Sequence, residues 1–189
     1  TESSSFVLVS FLNAVLELPE GRRIKEVQIL NPHVPTERMS VKGGEVDVRC
    51  TDEQGKQYIV EMQVYNRLGF KNRVIFYGSR AFSLQLQRGD NHVGLRPVIF
   101  IGVLNFQFFE NTDYIVHHEL RDRETGEHYF DNISFHFVQL PCFNKKENEL
   151  ETLADKWAYF LRNAETLEEE PPTLQEPEFE ESFHLLWRM

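Results

Sequence analysis

Two hydrophobic periods alternate along the chain, and their switches mark the elements. Phe6, Val9, Leu12, Val15 and Leu16 recur at helical spacing behind Ser4 or Ser5, either of which can cap a helix. That helix is expected to run to about Leu18, where Pro19-Glu20-Gly21 stops it. Ile24 to Leu30 alternates apolar and polar residues as a strand does, and Asn31 to Met39, with Pro32 and Pro35, reads as loop. Residues 45–50 and 57–64 alternate around the turn Thr51 to Lys56 and predict a hairpin. Leu68 to Leu86 returns to the helical period, ending near Gly89. Arg96 to Phe106 is nearly continuous in apolar residues, the mark of a central strand. Tyr114 to Leu120 and Ile133 to Leu140 are further strands, with a polar turn at Asp122 to Gly126. Glu147 to Leu167 carries a helical stripe of Leu150, Leu153, Trp157, Phe160 and Leu161. An acidic linker, Glu168 to Pro177, precedes a last helix from Phe179 to Met189. The order predicts an α/β fold: a mixed sheet flanked by helices over residues 1–144, with a helical, acidic C-terminal extension over 145–189.

The hairpin holds the candidate chemistry. A three-residue loop, Glu53-Gln54-Gly55, with glycine in the left-handed position, pairs Asp52 with Lys56. Counting outward, Thr51 faces Gln57, Arg49 faces Ile59, Asp47 faces Glu61 and Glu45 faces Gln63, all on one side. Val46, Val48, Cys50, Tyr58, Val60 and Met62 fall on the other, the expected core side. Two carboxylates directly opposite, with Cβ atoms about 4.5–5.5 Å apart, repel. Either the pair is solvated on the exposed side of a two-stranded ribbon, which the pattern alone favours, or a divalent cation between the carboxylates removes the repulsion; Mg²⁺ bound by two carboxylates keeps room for water and phosphate. Ile59, on the same side, indicates that this face is not open to solvent.

Charge changes the picture locally. The chain of 189 residues carries a net −10, which argues against a polyanionic partner. Residues 1–144, however, hold 15 Lys+Arg against 18 Asp+Glu, and residues 145–189 hold 5 against 12. Most of the acidic excess therefore lies in the C-terminal quarter. Between residues 67 and 96, Arg67, Lys71, Arg73, Arg80, Arg88 and Arg96 face a single acid, Asp90. Arg73, Tyr77, Arg80, Leu84 and Arg88 fall near one edge of the predicted helix, which reads equally as a strip for backbone phosphates or as the solvated edge of an amphipathic helix. For Arg73 two positions are open: a phosphate contact, which the local charge favours, or a bridge to a carboxylate that holds the helix against the hairpin.

Six ordered segments resemble the PD-(D/E)xK nuclease family transposases, also called recombination-promoting nucleases. Phe11-Leu12-Asn13-Ala14-Val15-Leu16 is similar to that family's F-L-N-A signature, and Val46-Asp47-Val48 with Glu61-Met62-Gln63 to its L-D-hydrophobic and E-M-Q segments. Arg73 to Arg80 resembles its R-x-x-x-Y-x-x-R helix. Arg96 to Ile101, Leu120 to Gly126 and Lys156 to Leu161 complete the set. The resemblance implies a restriction-endonuclease-like core and metal-dependent cleavage of DNA. It makes Asp47 and Glu61 the ligands of Mg²⁺, with Mn²⁺ as a substitute and the Met62 carbonyl as a further oxygen. Gln63 stands where the wider superfamily has lysine; it can orient a water but supplies no charge, and the resemblance offers Lys42, which matches a lysine common in the family, as a source of some of it. The family's upstream D-x-x-F-K segment has no counterpart, and Gln139 and Cys142 stand where the family tends to have glutamate and lysine.

The expected function is a metal-dependent DNA endonuclease of the mobile-element type. The alternative is a catalytically inactive module of the same fold that binds nucleic acid or a protein. DNA is the expected partner, a second copy of the chain a candidate one, and neither a membrane nor an organic cofactor is implied. Scattered His117, His118, His128 and His136 lack metal-ligand spacing, and Cys50 and Cys142 make no disulfide framework. A reducing cytoplasm is the default. The start at Thr1, with no signal peptide, is read as the mark of a shortened or processed chain.

Overall fold

The computed structural model describes residues 2–31, 33–34, 44–45, 47–110, 112–167 and 169–187. The apolar stripe of the first segment forms α1 (Glu2–Val15), and Leu12 and Val15 are fully buried. Among the described residues eight strands follow in chain order: β1 (Val27–Ile29), β2 (His33–Val34), β3 (Gly44–Glu45), β4 (Val48–Asp52), β5 (Gln57–Gln63), β6 (Val98–Leu104), β7 (Ile115–Leu120) and β8 (Phe130–Gln139). Helix α2 (Phe70–Ser83) lies between β5 and β6, and α3 (Leu153–Asn163) and α4 (Pro177–Trp187) close the described chain.

Six strands make one sheet in the order β1-β4-β5-β6-β8-β7, and β2 pairs with β3 in a separate ribbon. β5, β6 and β8 are parallel, while β1, β4 and β7 join antiparallel. β6, between the other two parallel strands, is the most apolar, because both of its faces are covered. Alternation divides the side chains of the parallel strands between two cores. Tyr58, Ile101 and Val103 pack with α1, α3 and α4 through Phe11, Trp157, Phe160, Phe179 and Phe183. Ile59, Phe100 and Leu104 pack on the other face with Phe70, Val74 and Ala81 of α2. The hairpin face that carries Ile59 is therefore closed by a helix, and Ile59 is fully buried.

The hairpin turn forms as its spacing predicts. Asp52 N–H donates to the Lys56 carbonyl and Gly55 N–H to the Asp52 carbonyl, each at 3.0 Å, with Gly55 at φ 80°. The register places Arg49 opposite Ile59 and Thr51 opposite Gln57. The ladder stops at Val48↔Val60, however, so Asp47 sits in a bend before β4, and Glu45 pairs with His33 rather than Gln63. The Met62 side chain, expected in the core, is half exposed, because it lies at the sheet end where the cover of α1 and α3 thins.

Helix α2 ends at Ser83, not Leu86. Gln85 leaves the helix to grip Arg96, accepting from its N–H at 2.8 Å and donating to its carbonyl at 2.9 Å. Asp90 accepts from Gln87 N–H at 2.7 Å and shapes the turn that follows. These bonds replace the helical ladder with a pinned loop.

The core runs unbroken across residue 144. Thr152 and Asp155 cap α3 with a reciprocal box, so the helix starts at Leu153 rather than Glu147. The acidic stretch before α4 is more than a solvated linker: Leu174 is fully buried, Pro171 is buried, and Glu176 pairs with Lys156. Helix α4 packs on α1, on the opposite face of the sheet from α2.

Candidate active site

Glu61 lies near the C-terminal end of β5, a parallel strand whose neighbours there are Val60 and Met62. Its Cα partner on β6 is Gly102. The carboxylate is 5% exposed, which is unusual for an acid and demands a partner. Arg73, one turn into α2, brings its Nη2 to 2.8 Å from Glu61 Oε1, an ion pair whose N–H direction falls short of a hydrogen bond. Gln63 Nε2 donates to the same Oε1 at 3.1 Å and to the Met62 carbonyl at 2.9 Å. Glu61 Oε2 is buried and has no hydrogen-bond partner among the described residues. Burial lifts the Glu61 pKa above the ordinary carboxylate value; the Arg73 guanidinium pulls it back, and the Asp47 charge adds to the effect of burial.

Asp47 reaches the same place from the other strand. Its Oδ2 accepts the Met62 N–H at 2.5 Å, so the bend that removes Asp47 from the ladder gives its carboxylate a main-chain donor on β5. Asp47 itself is exposed. The structure thus gathers Asp47, Glu61, Gln63, Arg73 and the Met62 main chain around one spot. Lys42 lies outside the described residues.

The other candidates divide. Arg73 takes the second of its two positions, on an internal carboxylate. Its partner comes from the preceding strand and not from Asp90, the single acid within residues 67–96. Tyr77, a turn further on, is half-buried, and its phenol pKa is raised by burial and by Glu61, with Arg73 opposing. Arg80 rests 6.0 Å from the Phe76 ring centre. Arg88 is exposed, but it lies beyond the end of α2 in the pinned loop and not on the helix face. Sequence reasoning also missed why Asn13 and Gln139 are there. Asn13 clamps Ile24 at both N–H and carbonyl, at 2.8 and 2.9 Å. Gln139 is fully buried and accepts from Phe108 and Phe109 N–H while donating to the Asp113 carbonyl.

The model of the PD-(D/E)XK nuclease family transposase matches residues 1–189. The chain belongs to that family. No curated protein matches the chain, and no solved structure does. The mixed six-stranded sheet between helices agrees with the restriction-endonuclease-like fold of PD-(D/E)XK proteins. Family nucleases of this type typically use divalent metals. The residues present fit such an ion: two carboxylates and a main-chain carbonyl are hard oxygen donors, and Glu61 Oε2 is an unsatisfied buried acceptor among them. Among the described residues no group of three His, Cys, Asp or Glu side chains that could hold a metal gathers here or elsewhere. No helix of the described residues is long and apolar enough to cross a membrane.

Proposed function

We propose that the chain is a Mg²⁺-dependent endodeoxyribonuclease that hydrolyses DNA phosphodiester bonds in a mobile-element setting. The observation that carries this reading is the buried, half-satisfied carboxylate of Glu61 beside Asp47, at the end of a parallel strand in a chain of this family. Asp47, Glu61 and the Met62 carbonyl would hold the cation. When bound, a hard divalent ion there polarises the phosphoryl oxygen and makes water a better nucleophile at neutral pH.

The chain's own groups do the positioning. Met62 N–H fixes the rotation of the Asp47 carboxylate. Gln63 holds Glu61 Oε1 through its amide nitrogen, which leaves its amide oxygen to orient the attacking water. The basic segment following the hairpin would meet the phosphate backbone, with Tyr77, Arg80 and Arg88 as contacts, while Arg73 stays paired with Glu61.

Nicking of supercoiled plasmid tests the reading. The wild-type chain should nick with Mg²⁺ or Mn²⁺ and stop in EDTA. Asp47→Asn and Glu61→Gln should each fall to the EDTA background while remaining folded by circular dichroism. Wild-type protein that binds DNA but never nicks it would favour the inactive-module alternative. Nicking by Asp47→Asn at the wild-type rate would remove the site assignment.

A further inference from the structure

Glu61 is a carboxylate with two different oxygens. Oε1 is taken by Arg73 at 2.8 Å and by the Gln63 amide at 3.1 Å. Oε2 is buried and unpartnered among the described residues. A carboxylate free to rotate would interchange these environments. Two partners on one oxygen prevent that and leave the other oxygen available.

Arg73 is committed to this task. Its Nε and Nη2 find no hydrogen-bond acceptor among the described residues, and Glu61 is the one acid there that pairs with it. The Phe70 ring lies 5.6 Å from its guanidinium carbon and supports it within α2. Phe70 is itself buried against Phe106, Phe108 and Phe137, so the guanidinium is carried on a packed platform. Gln63, two residues beyond Glu61 on the same face of β5, is neutral. The positive charge next to the carboxylate thus comes from the helix and not from β5.

We propose that Arg73 is a positioning residue of the cation site: it fixes Glu61 through Oε1, presents Oε2 to a divalent ion, and supplies the positive charge that glutamine at position 63 cannot. The proposal rests on the metal-site reading above. It differs from a phosphate contact in requiring no DNA for its effect.

The test measures Mn²⁺ bound to the full chain without DNA, from the electron paramagnetic resonance signal of free Mn²⁺, together with thermal melting. Loss of an outer partner that orients a metal ligand typically weakens binding by about 10- to 100-fold, and Arg73→Gln should do so. Arg73→Lys, which restores the charge, should recover most of that loss. Arg73→Met, which keeps an apolar stem against Phe70 but has neither charge nor donors, should match Arg73→Gln and replaces it if that variant does not fold. Mn²⁺ affinity in Arg73→Gln equal to or tighter than wild type would overturn the proposal. So would a lysine variant as weak as the glutamine one, or unfolding of both neutral variants while lysine folds, which would mark a structural role. Asp47→Asn separates the two levels. If it abolishes Mn²⁺ binding while Arg73→Gln does not, only the role of Arg73 fails; if it leaves binding unchanged, the metal-site reading fails with it.

Discussion

Single buried ionisable residues set how this protein responds to acid. His136 is buried on β8, with its Nδ1 2.6 Å from His117 Nδ1 and its Nε2 2.9 Å from Ser134 Oγ. One proton serves the two facing nitrogens, and burial, aided by His117, pushes the His136 pKa down to about 4 from 6.5, against an opposing pull from Glu119. Between those values the unfolded chain takes up a proton that the folded chain refuses. Stability should therefore fall as pH drops from about 6.5 to about 4, by about 3 kcal/mol from this residue. Asp155 acts in a lower window. It accepts from Tyr114 O–H and Lys145 at 2.7 and 2.8 Å and from the Glu151 and Thr152 N–H groups. Although burial opposes them, these donors hold its carboxyl down at about 2 rather than 3.8. Its stabilisation of about 2 kcal/mol is complete above 3.8 and lost as pH falls toward 2. Urea unfolding at a series of pH values should show His136→Gln flattening the first window and Asp155→Asn flattening the second. Unchanged slopes in both variants would show that these groups are not buried as described.

At the scale of elements, the packing of α2 on the sheet fixes the site. Gly102 pairs with Glu61 on one side and Phe137 on the other. A Cβ there would meet Phe137 Cδ1 at 2.9 Å and Cε1 at 3.2 Å. The Phe137 ring fills the space above the glycine and packs against Phe70, whose helix carries Arg73. Gly102→Ala should cost about 1–3 kcal/mol in urea unfolding, because the ring must move in a packed core. It should also weaken nicking more than that stability loss alone explains, by shifting α2 over Glu61. Wild-type stability in this variant would mean that Phe137 moves without cost. The hairpin was readable from sequence because its alternation and its glycine are local. The end of β4 was not: Asp47 leaves the ladder for the Met62 N–H, and no pattern in six residues distinguishes that from one more strand pair.

Across the whole molecule, the sheet separates two charge regimes. Helix α4, which carries Glu178, Glu180 and Glu181, packs with α1 and α3 on one face, and α2, from the segment with six cations and one acid, covers the other. The net charge of −10 therefore does not describe the face that carries the site. Helix α2 rises about 15 Å from Arg73 to Ser83, so Arg88 lies at the far end from Glu61. A bound duplex that tracks this face would touch both ends. Arg80→Ala and Arg88→Ala should each weaken DNA binding irrespective of sequence and make the log–log salt dependence shallower by about 0.9 for each phosphate no longer neutralised. Melting should scarcely move for exposed Arg88. An unchanged salt slope for both would take DNA off this face.

The period of the apolar residues determined the helices, the strands of the six-stranded sheet and the hairpin turn, because burial on one face imposes a local repeat of 3.6 or 2, but it read His33–Val34, which pairs with Gly44–Glu45, as loop. Ordered motifs spread over the chain determined the family. Sequence also put Asp47, Glu61 and Gln63 on one hairpin, since pairing across a short turn is a local matter. It left the partner of Arg73 open between phosphate and carboxylate, and it could not show that Gln139 anchors Phe108 and Phe109 or that the acidic stretch buries Leu174. Those interactions join residues far apart in the chain, or different elements, and only packing chooses among partners that local spacing leaves equal. Glu61 is buried, half-satisfied and paired because α2 closes over it, and that closure is a property of the folded sheet rather than of any segment.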